Sequence, residues 1–211
     1  MARTADHQQR RAQIVAAVRV VAGEVGLGRV TIARTATAAG VSVGLVQHYY
    51  ASKEALLADA FAVVRRDVLA RIDAEIARAE HRGERIEVML VHGLSQLLPL
   101  GTRRRAEVHL SHAFTGLALE DETLRAQLRD ARGLLQNRVS AALINGIACG
   151  EVATETDPGQ AAYELLALTD GLASHLLVQS GTQPRAWATH ALSERVSELC
   201  PGECTHVFTS R

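Results

Sequence analysis

Lysine occurs once in this 211-residue chain, at Lys53, and every other basic side chain is an arginine. Cysteine is nearly as scarce: Cys149, Cys200 and Cys204 make an odd count. Residues 1–13 are too polar to hold the apolar core of a secretory leader. Together these predict reduced thiols in a cytoplasmic protein rather than a disulfide framework. No run of about 18 apolar residues is present, which excludes a membrane-spanning helix. No period-two apolar run bounded by turns marks a strand, and no repeat of roughly 20–50 residues points to a solenoid or propeller. Also missing are His-Glu-x-x-His, a Gly-x-Ser-x-Gly elbow and a glycine-rich phosphate loop. An enzyme reading, such as a metal-dependent hydrolase, then rests on scattered histidines alone.

What is present is a folded, apolar-rich chain, 47% hydrophobic, long enough for a small module and a larger one. Its formal net charge is zero, but the charges are unevenly placed. Residues 1–53 carry Arg3, Arg10, Arg11, Arg19, Arg29, Arg34 and Lys53 against Asp6 and Glu24, a net +5, which leaves −5 on the rest. A basic module on an acidic body suits a DNA reader with a second task elsewhere in the chain.

The stretch Val30 to Leu57, VTIARTATAAGVSVGLVQHYYASKEALL, organises the remainder. Thr31 is placed to cap a short helix in which Ile32, Ala36 and Ala39 repeat at helical spacing. Gly40 suits its left-handed end, Val41 is a buried turn residue, and Ser42 caps a helix of about two turns over Val43 to Tyr49. Ser52 caps a third helix opening on Lys53-Glu54. Two short helices joined by a glycine turn form a helix-turn-helix, whose second helix enters a DNA major groove. On that helix Ser42, Gln47, His48 and Tyr49 offer hydrogen bonds outward, while Val46 and Tyr50 point back to hold it. Lys53 opens a helix beside it, where an ammonium group and backbone N–H groups together suit a phosphate.

The pattern T-x-x-x-x-A-x-x-A-G-V-S-x-G-x-x-x-x-Y-Y-x-S-K-E-x-L-L, unbroken from Thr31 to Leu57, resembles the DNA-binding domain of the tetracycline-repressor (TetR) family. The resemblance implies phosphate contacts at Thr31, Ser42, His48, Tyr49 and Lys53, with Arg34 beside them. It implies base-edge contacts at Val43, Gly44, Leu45 and Gln47, with Tyr49 able to do either. Thr35 departs from the family's usual core isoleucine, Ala33 from a polar residue, and Gln47 from a tyrosine, so no relative's operator sequence transfers.

The rest of the chain reads as helices throughout, delimited by glycine and proline. A first helix runs from about Asp6 to Val25, with Ile14, Val15, Val18, Val21, Ala22 and Val25 as its stripe. A long one runs from Lys53 to about Glu80 as a lever between modules. Five follow, over Arg85–Leu98, Arg103–Leu119, Asp121–Ile147, Gly159–Gln179 and Arg185–Leu199. The expectation is an all-α fold of about nine helices. It divides into a helix-turn-helix domain over 1–52, a ligand-binding and dimerisation domain over 53–200, and a flexible tail over 201–211.

The body from about Arg85 to Leu199 is most similar to the family's choline- and betaine-regulator branch. That implies a homodimer, formed by a four-helix bundle, on a double-stranded palindromic operator. The interface residues would be Leu165, Leu168, Gly171, Leu172, Leu176, Trp187, Ala191, Leu192 and Val196. Leu165, Leu168, Leu172 and Leu176 cover one side of their helix while other apolar residues cover another, which requires cover on both; burial within one chain is the competing reading. It also implies a small-molecule effector, cationic or amphipathic, held among polar side chains stranded between apolar ones. These are His92, Gln96, Glu107, Ser111, His112, Gln136, Asp170 and His175, with Phe114 beside them. Asp170 stands out as a lone carboxylate in an apolar helix. His109-x-x-His112 lacks a third metal ligand, and Cys200, Cys204 and His206 match no common zinc spacing, so neither metal nor cofactor is expected. A DNA-binding architectural protein with a purely structural body is the remaining alternative.

Overall fold

The computed structural model describes residues 2–179 and 185–204, the first four by backbone alone. Among them are nine α-helices and no strand: α1 Ala2–Val25, α2 Ile32–Ala39, α3 Val43–Tyr49, α4 Lys53–His81, α5 Ile86–Ser95, α6 Thr102–Glu120, α7 Glu122–Cys149, α8 Pro158–Val178 and α9 Ala186–Leu199. A single 3-10 turn, Leu27–Arg29, links α1 to α2. The all-helical expectation holds.

The chain forms two compact units, Met1–Asp67 with Ala106–Arg125 and Val68–Arg105 with Ala126–Arg211. Compactness thus divides α4 between Asp67 and Val68, and not at the expected boundary of residue 52. Helices α4, α6 and α7 each supply residues to both units.

In the first unit, Ile14, Val15, Val18, Val21 and Ala22 of α1 are buried together with Ala36, Val46, Leu56 and Leu57. Val25, expected on the same stripe, is instead exposed, because Gly26 takes φ 83 and ends the helix there. Phe61 of α4 stacks in parallel on Phe114 of α6, with ring centroids 3.9 Å apart. Beside this stack Arg19 of α1 donates to Asp67 at 3.2 Å and to Glu107 at 2.9 Å. Glu107 is only 2% exposed, and breaking such a buried pair by removing one partner is strongly destabilising.

The second unit packs Met89, Leu90 and Leu94 of α5, Leu143 of α7, Leu165, Leu172 and Leu176 of α8 and Leu192 and Val196 of α9 into its core. Arg105 donates to the carbonyls of Leu176 and Leu177, at 3.0 and 2.5 Å, satisfying acceptors that the end of α8 leaves open. At the other end of the unit, the buried Glu151 carboxylate accepts from the backbone N–H groups of Ile86 and Glu87, at 3.2 and 3.4 Å. It thereby caps α5.

The segment expected to be loose from residue 201 is held through its first residues. Gly202 donates its N–H to the Glu151 carbonyl at 3.0 Å, and Arg85 donates to the carbonyls of Cys200 and Gly202 at 3.2 and 2.7 Å. A Cβ on Gly202 would lie 2.0 Å from the Gly150 carbonyl oxygen, so only glycine fits there. His206 and the rest of 205–211 lie outside the described residues.

Candidate nucleic-acid interface

Local chemistry fixes the reading helix before any partner is present. Thr31 Oγ1 accepts from the Arg34 N–H at 3.1 Å, Ser42 Oγ from Leu45 at 3.1 Å and Ser52 Oγ from Ala55 at 3.1 Å. Each such N-cap stabilises its helix by about 1 kcal/mol. In each hydroxyl the oxygen is used as acceptor and the O–H is still available as donor, which is what a phosphate oxygen requires. Gly40 ends α2 at φ 66 and ψ 34, and the N–H of Val41 returns to the Ala36 carbonyl at 3.0 Å. That left-handed turn sends the chain directly into α3. Val41 itself is half-buried rather than buried.

The inner side of α3 is locked. Val46 is fully buried, and the Tyr50 ring is buried with its hydroxyl donating to Asp59 at 2.5 Å. Asp59 also accepts two bonds from Arg11 of α1, at 2.8 and 3.3 Å. Burial, then the bond to the Asp59 carboxylate, pushes the Tyr50 hydroxyl far above the ordinary tyrosine range, so it stays a neutral donor. Gln13 of α1 donates to the Ala39 carbonyl at 2.7 Å and clamps the end of α2. Neither Gln13 nor Asp59 signals this role in the sequence, since each lies far along the chain from what it holds.

The outer side of α3 is open. Ser42, Val43, Gly44, Gln47 and His48 are exposed, and Leu45 and Tyr49 are half-buried. No heavy atom lies within 4 Å of a Cβ built on Gly44. Thr31 and Arg34 are exposed at the start of α2, where Arg34 Nη1 donates to the Arg29 carbonyl at 3.0 Å. Lys53 Nζ donates to the Gly28 carbonyl at 3.3 Å, which orients the ammonium and leaves two of its three hydrogens for a phosphate. The His7 ring lies 4.7 Å from that of Tyr49, an α1 contribution that the sequence does not signal. These are the features of a helix-turn-helix DNA reader: a short helix locked on one side and open, with polar groups, on the other.

Residues 14–60 match the family described as bacterial regulatory proteins of the tetR family, and residues 86–201 match the C-terminal domain of BetI-type transcriptional repressors. The chain belongs to the TetR family of transcriptional regulators, with a BetI-type C-terminal domain. It is 25% identical over 205 residues to the HTH-type transcriptional regulator PksA of Bacillus subtilis, covering 95% of this chain and 94% of that one. A solved transcriptional regulator from Rhodococcus sp. Rha1 matches with a TM-score of 0.80 and 29% identity, over 93% of this chain and 98% of its own. One from Saccharomonospora viridis, solved with choline, matches with a TM-score of 0.79 and 21% identity, over 93% and 99%.

The residues expected to face a partner copy separate into two sets. Leu165, Leu172, Leu176, Leu192 and Val196 are buried within one chain and hold the second unit together. Leu168 and Ala191 are half-buried, and Gly171 and Trp187 are exposed. The outward stripe of α8 is Tyr163, Ala167, Asp170, Gly171, Ser174, His175 and Val178, with Tyr163 65% and Val178 85% exposed. Asp170 is therefore no carboxylate stranded in an apolar interior, since it faces outward with Arg132 3.8 Å away.

The expected effector-binding residues belong to both units. Glu107, Ser111, His112 and Phe114 fall in the first unit, and His92, Gln96, Gln136, Asp170 and His175 in the second. Glu107 is ion-paired with Arg19, and Phe114 is a core residue. Ser111 Oγ donates to the Glu107 carbonyl, and His112 Nδ1 to that of Val108, both at 3.0 Å. Gln96 Nε2 donates to the His92 carbonyl at 3.4 Å, and the exposed His92 has Glu84 at 3.9 Å. Gln136 is half-buried and His175 exposed. No helix among the described residues is long and apolar enough to cross a membrane.

Proposed function

We propose that the chain is a cytoplasmic, dimeric, ligand-responsive repressor. It reads a two-fold symmetric operator through α3 and releases it when a small molecule occupies the C-terminal body. The observation that carries this is the α3 surface: Ser42, Val43, Gly44, Gln47 and His48 are exposed on a helix whose Val46 and Tyr50 are buried. Residues 1–52 are the reader. Residues 53–200 dimerise and bind the effector.

The proposed dimer face is the exposed α8 stripe around Gly171, with Trp187 of α9. Small side chains at Ala167, Gly171 and Ser174, flanked by the exposed Tyr163 and Val178, suit close approach of a second helix. Two copies related by a two-fold axis would present two α3 helices to successive turns of one face of DNA. The effector class is a cation or amphiphile, a reading supported by the BetI-type C-terminal match and by the choline found in a protein of the same fold. An effector acts only by binding the DNA-incompetent state more tightly, and it then weakens operator affinity by that same ratio.

Choline chloride is the first probe, titrated into the protein–operator complex against sodium chloride at equal ionic strength. Operator affinity should fall about 5–150-fold in choline beyond the salt control, the usual range of such coupling. Equal loss in both titrations would remove a quaternary ammonium effector from the reading.

A further inference from the structure

Outside the DNA-reading surface, one group of side chains has chemistry that gene regulation by α3 does not use. Cys149 ends α7, Glu151 follows in the next turn, and Cys204 lies beyond α9. The last is 55 residues from the first in sequence, yet one ligand atom from each residue lies within 4.8 Å of the other two. Cys149 Sγ and Glu151 Oε1 are 3.8 Å apart. Cys149 and Glu151 are buried and Cys204 is half-buried.

From these positions we propose that Cys149, Glu151 and Cys204 form a binding site for a thiophilic divalent cation, of which zinc is the type, fastening the segment after α9 to the end of α7. Two thiolates and a carboxylate are a donor set that such an ion takes. Around tetrahedral zinc, donor atoms sit about 3.8 Å apart for two sulfurs and about 3.5 Å for sulfur and oxygen, given bonds of about 2.3 and 2.0 Å. The three atoms here lie within 4.8 Å of one another, so the cluster reaches bonding distance by contracting about 1 Å.

The surrounding groups fit the same role. Glu151 Oε1 accepts the backbone N–H of Ile86 at 3.2 Å and the Cys149 thiol at 3.8 Å; loss of the thiol proton on metal binding frees that second lone pair for the metal. Arg85 Nε lies 3.4 Å from Glu151 Oε2, and its Nη2 donates to the carbonyls of Cys200 and Gly202. The guanidinium thus fixes both the carboxylate and the chain leading to Cys204, the part that outer-shell groups play at metal centres. Two thiolates and one carboxylate bring three negative charges, which a divalent ion largely offsets, with the Arg85 guanidinium shared between Glu151 at 3.4 Å and Glu87 at 3.1 Å. On binding, each thiol gives its proton to buffer as its S–metal bond forms, and the fourth coordination position is left for water. Burial raises the Cys149 thiol above its ordinary range, so it stays protonated until a metal displaces the proton; burial likewise pushes the non-ligating Cys200 thiol up to about 12. Cys200 is the internal control, a buried thiol nearby that is outside the cluster.

The test is titration of the full-length protein with Co2+ under a non-thiol reductant, followed by competition with Zn2+. One equivalent per chain should give thiolate-to-cobalt charge-transfer absorption, bleached by zinc, and zinc should protect two of the three thiols from a thiol reagent. C204S, at a half-buried position, should remove the absorption and weaken binding at least about 100-fold, beyond what loss of an outer-shell group produces. C200S should leave both signals unchanged. Absence of thiolate-to-cobalt absorption, or its persistence in C204S, would overturn the proposal. So would a Cys149–Cys204 disulfide formed in air by a protein that takes up no metal in reductant.

Discussion

Thr35 illustrates how a departure from a family pattern becomes physical. Its side chain is completely buried, and its hydroxyl has no hydrogen-bond partner among the described residues. An unpaired buried hydroxyl costs about 1–3 kcal/mol. Thr35→Val removes the hydroxyl at nearly constant volume, so it should raise the unfolding free energy by about 1 kcal/mol; a lower denaturation midpoint would mean that the hydroxyl is satisfied. On the reading surface two residue types separate by role. Lys53→Ala removes a sequence-independent cation, so it should weaken all DNA similarly and lower the salt slope by about one unit. Gln47→Ala should instead relax preference at one base pair, by about 1–3 kcal/mol. An unchanged slope for the first, or uniform weakening by the second, would exchange or cancel these roles.

At the scale of elements, the helices were legible because their signals are local. The caps Thr31, Ser42 and Ser52 and the left-handed Gly40 act within four residues of themselves, and the structure has each of them as expected. The face of α8 was not legible. That helix carries leucines on more than one side, and periodicity does not say which side α9 covers. Leu165, Leu172 and Leu176 are buried within the chain, leaving Tyr163, Gly171 and Val178 outside. For the same reason the Cys149–Glu151–Cys204 cluster escapes a search of the tail alone, since its first member lies on another helix. Gly171→Arg tests the outward face. A Cβ there meets nothing within 4 Å among the described residues, so thermal stability should hold while sedimentation shifts from dimer to monomer. A dimer that survives the substitution places the interface elsewhere.

For the whole molecule the organising fact is the division of labour between a net +5 over residues 1–53 and a net −5 beyond them. Under the proposed function the basic segment supplies affinity for any DNA, and α3 supplies the choice among sequences. Helix α4 runs unbroken from Lys53 to His81, about 43 Å at 1.5 Å per residue. Under the proposed function it is the covalent connection through which effector binding in the body would reach the reader. The central claim is that this chain is a sequence-specific, two-fold symmetric reader. It is tested most directly by selecting genomic DNA fragments with the purified protein at moderate salt and sequencing what is retained. The account predicts one enriched motif with two-fold symmetry and half-sites about one helical turn apart. Retention that follows salt alone, with no enriched sequence, would contradict it.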